Sequence, residues 1–120
     1  MNKVYVVQNQ HRWDRHEKVF VPKYDFTPAA EYGEMVDLLS PTAAPFRTDS
    51  IIAELHEKLR DFTSNDYLLL VGNPVLIGIS MAIAADYNQG DLNVLQWSGK
   101  DRKYLPIVVK NIYQNPQETE

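Results

Sequence analysis

The chain has 120 residues, of which 44% are hydrophobic and 23% charged, with a formal net charge of −4. Those values suit one globular domain with a modest core, and they supply no overall positive field to attract nucleic acid. With no cysteine present, a disulfide framework and thiolate chemistry are excluded, and an intracellular setting is the simplest expectation.

Lys3 to Gln8 (KVYVVQ) predicts a strand, and its apolar run is too short for a secretory signal. Asn9 to Lys18 is polar and rich in side-chain donors, and reads as a solvated loop. Val19-Phe20-Val21 predicts a short strand stopped by Pro22. Asp25 to Tyr32 (DFTPAAEY) reads as a loop or a single helical turn, with Pro28 at its start. Gly33 to Leu39 alternates enough for a strand, and Pro41 and Pro45 punctuate the loop that follows. Asp49 or Ser50 caps a helix running to about Phe62. Its stripe of Ile51, Ile52, Leu55, Leu59 and Phe62 faces the core.

Asp66 to Trp97 is the most informative stretch. Tyr67 to Val71 is a continuous apolar run, the pattern of a strand buried on both faces. Asn73 is suited to the N-cap and Pro74 to the first helical position. Val75 to Tyr87 is apolar almost all round, which predicts an enclosed helix. It falls short of the roughly 20 residues that span a bilayer, so no membrane association is expected. Gly78 inside it predicts close packing of helix on sheet. Gly90 is placed for the left-handed stop. Leu92 to Trp97 is the return strand, and SGKDRK turns the chain into a last, antiparallel strand, Tyr104–Val109.

Two crossovers follow: strand 33–39, helix 49–62, strand 67–71, helix 74–88, strand 92–97. A strand–helix–strand crossover of this length is nearly always parallel and right-handed. The predicted fold is therefore α/β, a small mostly parallel sheet with two βαβ crossovers and an antiparallel edge hairpin. It forms one domain over 1–112, followed by a polar, frayed tail over 113–120. Lys3–Gln8 and Tyr104–Val109 are expected as sheet edges. Pro106 fits an edge position, and a homodimer could pair these strands.

Ligands of open α/β sheets bind beyond the carboxyl ends of the strands. Ser40 and Thr42, Gly72 and Asn73, and Ser98 stand on the three loops expected there. Arg12 or Arg47 could add the charge that an anion needs. Structural capping alone explains the Gly72-Asn73-Pro74 turn and is favoured over an anion site. Neither GxGxxG nor GxxxxGK[ST] occurs, and no serine sits in a G-x-S-x-G elbow. His11, His16 and His56 do not have the spacing of a metal set, so no metal is expected. No cofactor signature occurs. The acids Asp14, Asp25, Glu31, Glu34 and Asp37 are scattered and announce no catalytic pair. The cluster from Gln8 to His16, with Trp13 among Arg12, Arg15 and His16, could hold phosphate or stack a base. In so acidic a chain, nucleic acid is the less favoured partner.

The runs PKYDFTPAAEYGEMVDLLSPTAAPF, DYLLLVGNPVLIGISMAIAADYN and LNVLQWSGKDRKYLPI resemble a group of short proteins encoded by tailed phages, especially phages of marine and cyanobacterial hosts. The resemblance spans roughly Pro22 to Val109. It implies an accessory protein working in the infected host's cytoplasm, and it brings no catalytic residue with it. Two readings remain. One is a non-enzymatic effector that docks on a host protein or sequesters a host signal, with Trp13, Phe46 and Tyr113 as contact residues. The other is a minimal α/β domain for a nucleotide or another small anionic ligand, with hydrolysis as an open extension.

Overall fold

The computed structural model describes residues 2–118. Seven strands and two α-helices follow in chain order. They are β1 (Lys3–Gln8), β2 (His11–Asp14), β3 (Val19–Pro22), β4 (Glu34–Leu39), α1 (Thr48–Leu59), β5 (Tyr67–Leu69), α2 (Pro74–Tyr87), β6 (Leu92–Ser98) and β7 (Lys103–Val109). A 3-10 segment, Thr27–Tyr32, precedes β4.

The main sheet has the order β4-β1-β5-β6-β7. β4, β1, β5 and β6 run parallel, and β7 closes the row antiparallel to β6. The α/β class, the two crossovers and the antiparallel hairpin are therefore as the sequence predicts. The steps β4–α1–β5 and β5–α2–β6 run in one direction along the sheet, so right-handed connection sets both helices on one face. There Leu38, Ile51, Leu55, Leu59, Leu76 and Ile83 pack with Tyr5 and Val7. The connection from β1 to β4 runs the other way, and its 3-10 segment covers the opposite face. Ala29 and the flanking Phe26 and Tyr32 meet Val4, Val6, Leu69, Leu95 and Tyr104 there.

Several expectations are corrected. β1 is not an edge strand. It lies between β4 and β5, because Val4 to Val7 are apolar on both faces and buried on both. The segment after it is not a plain loop. Arg12 pairs with Val21 and Trp13 with Phe20 in a separate two-stranded ribbon. α2 is not enclosed, since Val75, Gly78 and Ala82 are exposed along one stripe. Gly78 therefore has open space around it and packs on nothing. The left-handed residue immediately after α2's C-cap is Gln89 (φ 58°), with Gly90 one step later. Gly90 N–H reaches back to the Ala85 carbonyl at 2.7 Å, a Schellman closure. α1 starts at Thr48, ahead of the expected caps, and Phe62 lies beyond its end.

The two sheet edges are β4 and β7. Pro106 sits in the middle of β7, opposite Leu95. The chain is tied back after β7 by Asn111 N–H donating to Asp91 Oδ1 at 2.9 Å and Ile112 N–H to the Gly90 carbonyl at 2.9 Å. Residues 119 and 120 of the expected tail lie outside the described residues. Among the described residues, no helix is long and apolar enough to cross a membrane.

Candidate functional site

The strand order reverses between β1 and β5, where open α/β sheets form their ligand crevice. Here that crevice is filled from inside. Gln8 ends β1 with its side chain only 4% exposed. Its Oε1 accepts from Asn73 N–H at 2.9 Å. Its Nε2 donates toward the carbonyls of Ser40 and Pro41 at 3.3 Å and of Ala43 at 3.4 Å. Gly72 crosses over it at φ +119°, and a Cβ there would stand 2.5 Å from Gln8 Cβ. One amide thus joins the carboxyl ends of β1, β4 and β5. A lone amide ending an apolar strand was the only sequence signal for it.

The N-terminus of α2 is similarly occupied. Asn73 Oδ1 accepts from Val75 N–H at 2.9 Å, as its N-cap role requires. Pro74 has no N–H, and Asn73 N–H belongs to Gln8. Ser40 and Thr42 bond one another, Oγ to Oγ1 at 3.0 Å, and Thr42 N–H donates to Ser40 Oγ at 3.1 Å. They share a shallow concavity of about 430 Å³ with Arg47, Ser50 and Glu54. The structure therefore brings Ser40, Thr42 and Arg47 together, and links Gly72 and Asn73 to them through Gln8. Ser98 is engaged elsewhere: its Oγ bonds Asp101 Oδ2 and Asp101 N–H inside the β6–β7 turn. Arg12 lies exposed on β2.

A second concavity, about 590 Å³, opens beside the ends of β5 and β6. Tyr24, Asp25, Val71, Ile77, Trp97 and Tyr104 line it. Trp97 and Tyr104 face each other across the hairpin, edge to face, with centroids 5.0 Å apart. Asp25 Oδ1 accepts from Thr27 Oγ1 at 2.6 Å and Thr27 N–H at 2.9 Å. The Thr27 hydroxyl first, then its N–H, holds the Asp25 carboxyl below its ordinary value. Burial, then the charge of Asp25 and the presence of Tyr24, pushes the Tyr104 hydroxyl up. Asp25 and Tyr104 are far apart in sequence, which is why pattern reading missed this pairing.

The β2–β3 ribbon presents another chemistry. Strand alternation puts His11, Trp13, Phe20 and Pro22 on one face, all exposed. Trp13 and Phe20 touch edge to face at 5.1 Å, yet remain 51% and 70% exposed. Asp14 Oδ1 accepts from the N–H groups of His16 and Glu17 at 2.9 and 3.2 Å and shapes the tip. Between residues 9 and 24 stand Arg12, Arg15, Lys18 and Lys23, against only Asp14 and Glu17, although the whole chain carries −4. Phe46 is 93% exposed on the loop before α1. Tyr113 is exposed too, with its ring close to Gly90. His56 joins the two helices, its Nδ1 lying 2.7 Å from Tyr87 Oη. Among the described residues no group of acidic or histidine side chains could hold a metal ion.

No curated protein and no solved structure is found to be similar to the chain. A family model described as Phage Pam3 gp32-like protein matches residues 2–111, in agreement with the resemblance to phage-encoded proteins read from the sequence.

Proposed function

The chain belongs to the phage Pam3 gp32-like protein family, and we propose that this member is a non-enzymatic binding protein that docks on a host macromolecule inside the infected cell. The β2–β3 ribbon carries the reading. An isolated two-stranded ribbon is marginal in water, and here neither face is closed off by the main sheet. The cross-strand Trp13–Phe20 pair steadies the ribbon by about 0.2–1 kcal/mol, yet both rings stay largely in solvent. Large aromatic residues on an exposed, polar-rimmed patch are the composition of interface anchors. The local excess of positive side chains favours an acidic protein surface as partner and speeds encounter with it.

The test is affinity capture from infected host cells with wild-type protein and with Trp13→Ala and Phe20→Ala. Each variant is first checked for an unchanged circular dichroism spectrum. A partner held by wild type and lost in both variants supports docking through the ribbon. A partner held equally by all three places the contact elsewhere, with Phe46 and Tyr113 next to replace.

The anionic-ligand reading draws its support from the Ser40–Thr42–Arg47 concavity. Glu54 also lines that concavity, and the Asn73 and Val75 amides are already engaged, so it stands second. A thermal-shift screen against nucleotides, repeated with Arg47→Ala, separates the two. Ligand at 100 times its Kd should add about 2.7 kcal/mol of stability.

A further inference from the structure

We propose that the concavity between Tyr24, Trp97 and Tyr104 is a binding site for a small organic cation with a flat apolar body, an aryl amidine or guanidine in chemical class. Among the described residues, Asp25 is the only charged side chain lining it, so the lining charge is negative and no cation is there to hold a phosphate. Three aromatic rings line it with Val71 and Ile77. Aromatic faces attract cations through their quadrupole, more strongly as water is excluded. The neighbourhood already shows this affinity, because Lys23 Nζ stands 5.5 Å over the Tyr24 ring, and Lys23 itself does not line the concavity.

The polar groups are few and poised. Thr27 occupies Asp25 Oδ1 and leaves Oδ2 without a hydrogen bond among the described residues. A carboxylate oxygen fixed from behind by its neighbour is a preorganised acceptor, and a charged donor bonds it about twice as strongly as a neutral one. Tyr104 lines the same concavity, and its hydroxyl is a second polar group there. An apolar concavity with a few convergent polar groups is the usual form of a small-molecule site. This one lies at the carboxyl ends of β5 and β6, beside the crevice that Gln8 fills.

The site lies at the base of the ribbon, where Gln10 and Tyr24 line it, but it does not include the Trp13–Phe20 pair, and its test is arranged accordingly. Benzamidine and benzamide have nearly the same shape and differ in charge. Each is titrated into the uniformly 15N-labelled full chain, and amide shifts are followed. Saturable benzamidine shifts are expected at Gly72, Asp25, Trp97 and Tyr104. Benzamide and the Asp25→Asn variant should each bind about two- to fivefold more weakly, because Asp25 is exposed and its charge is partly screened. The Asp25→Asn side chain keeps the acceptor that Thr27 uses, so the turn survives, and the spectrum itself reports folding. Trp13→Ala should bind benzamidine unchanged. Equal binding of benzamide and benzamidine by wild type overturns the proposal without reliance on any variant. Unchanged binding by folded Asp25→Asn, shifts that map elsewhere, or no saturable shift overturns it too.

Discussion

Replacing Gln8 by Leu tests whether one amide holds the carboxyl edge of the sheet together. Leucine has similar bulk and suits the apolar surroundings, so little packing is lost. The Asn73 N–H, bonded at 2.9 Å in the native chain, loses its acceptor. The carbonyls of Ser40, Pro41 and Ala43 lose a shared donor at 3.3–3.4 Å. An orphaned buried donor costs about 1–3 kcal/mol, and a lost ordinary hydrogen bond about 1 kcal/mol. The sum is about 2–4 kcal/mol. At roughly 3–5 °C per kcal/mol for a domain of this size, Tm should fall by about 6–20 °C. Urea denaturation followed by circular dichroism measures the free energy, and differential scanning calorimetry the Tm. Gln8→Glu is the control, since it keeps an acceptor for Asn73 but sets a carboxylate against three carbonyls, and it should be no more stable than Gln8→Leu at pH 7. A Gln8→Leu protein within about 0.5 kcal/mol of wild type, the range of inert substitutions, would refute the reasoning.

Other positions give independent expectations. Asp66 is buried and accepts from Lys3 N–H (2.9 Å), Thr63 N–H (2.9 Å) and Thr63 Oγ1 (3.0 Å), tying the start of β1 to the turn before β5. Asp66→Ala should destabilise by about 2–4 kcal/mol in urea titration, and a loss below about 1 kcal/mol would mean that water replaces the carboxylate. Ser80 is fully buried on α2 and its Oγ has no partner among the described residues. Ser80→Ala should stabilise by about 1 kcal/mol, from relief of an unpaired hydroxyl and better helix propensity, and a lower urea midpoint would show an unseen bond. Tyr5 has its pKa raised, by burial first and then by the charges of Asp66 and Asp61. The folded state thus holds this proton more tightly than the unfolded state. That contribution is complete below about pH 10, the unfolded value, and is lost as pH rises through the higher folded one. Urea midpoints taken from about pH 8 to about pH 11.5, a range that brackets the tyrosine titration, should fall less steeply for Tyr5→Phe than for wild type, and identical slopes would rule Tyr5 out as a source.

The crossovers were legible because local signals agree there. Asn73 and Pro74 cap, Val75 to Tyr87 propagates, and the strands on either side are apolar runs, so each step implies the next. β1 carries the same two-faced apolar signal as β5, and that criterion, applied to Lys3–Gln8, already argues for the centre of the sheet over its edge. β3 was legible as Val19–Val21, but its partner β2, and so the ribbon, was hidden for a physical reason. Its strands bury no face, so the period-two contrast between inside and outside never enters the sequence. The exposure of α2 was illegible as well, because alanine and glycine look alike to a hydropathy pattern whether or not anything covers them. The sites depended most on distance along the chain. Ser40, Thr42 and Arg47 are near neighbours in sequence and line one concavity. The Asp25–Tyr104 neighbourhood exists only once the 3-10 segment and the β6–β7 hairpin lie on the same face of the sheet.

The proline in β7 bears on how the protein behaves at high concentration. β7 pairs with β6 without interruption from Lys103 to Val109, so the nitrogen of Pro106 faces away from β6, toward the open side. Leu105, Ile107 and Val108 around it are exposed. Without the proline, the segment from Tyr104 to Val109 would be an uncharged, β-prone edge with a full row of free donors, the template on which fibrils grow. Pro106 breaks that row at its midpoint and acts as a gatekeeper against self-association. Pro106→Val should leave the chain folded yet raise thioflavin-T fluorescence on incubation, in step with concentration. An equally quiet variant would transfer the gatekeeping to the flanking Lys103 and Lys110.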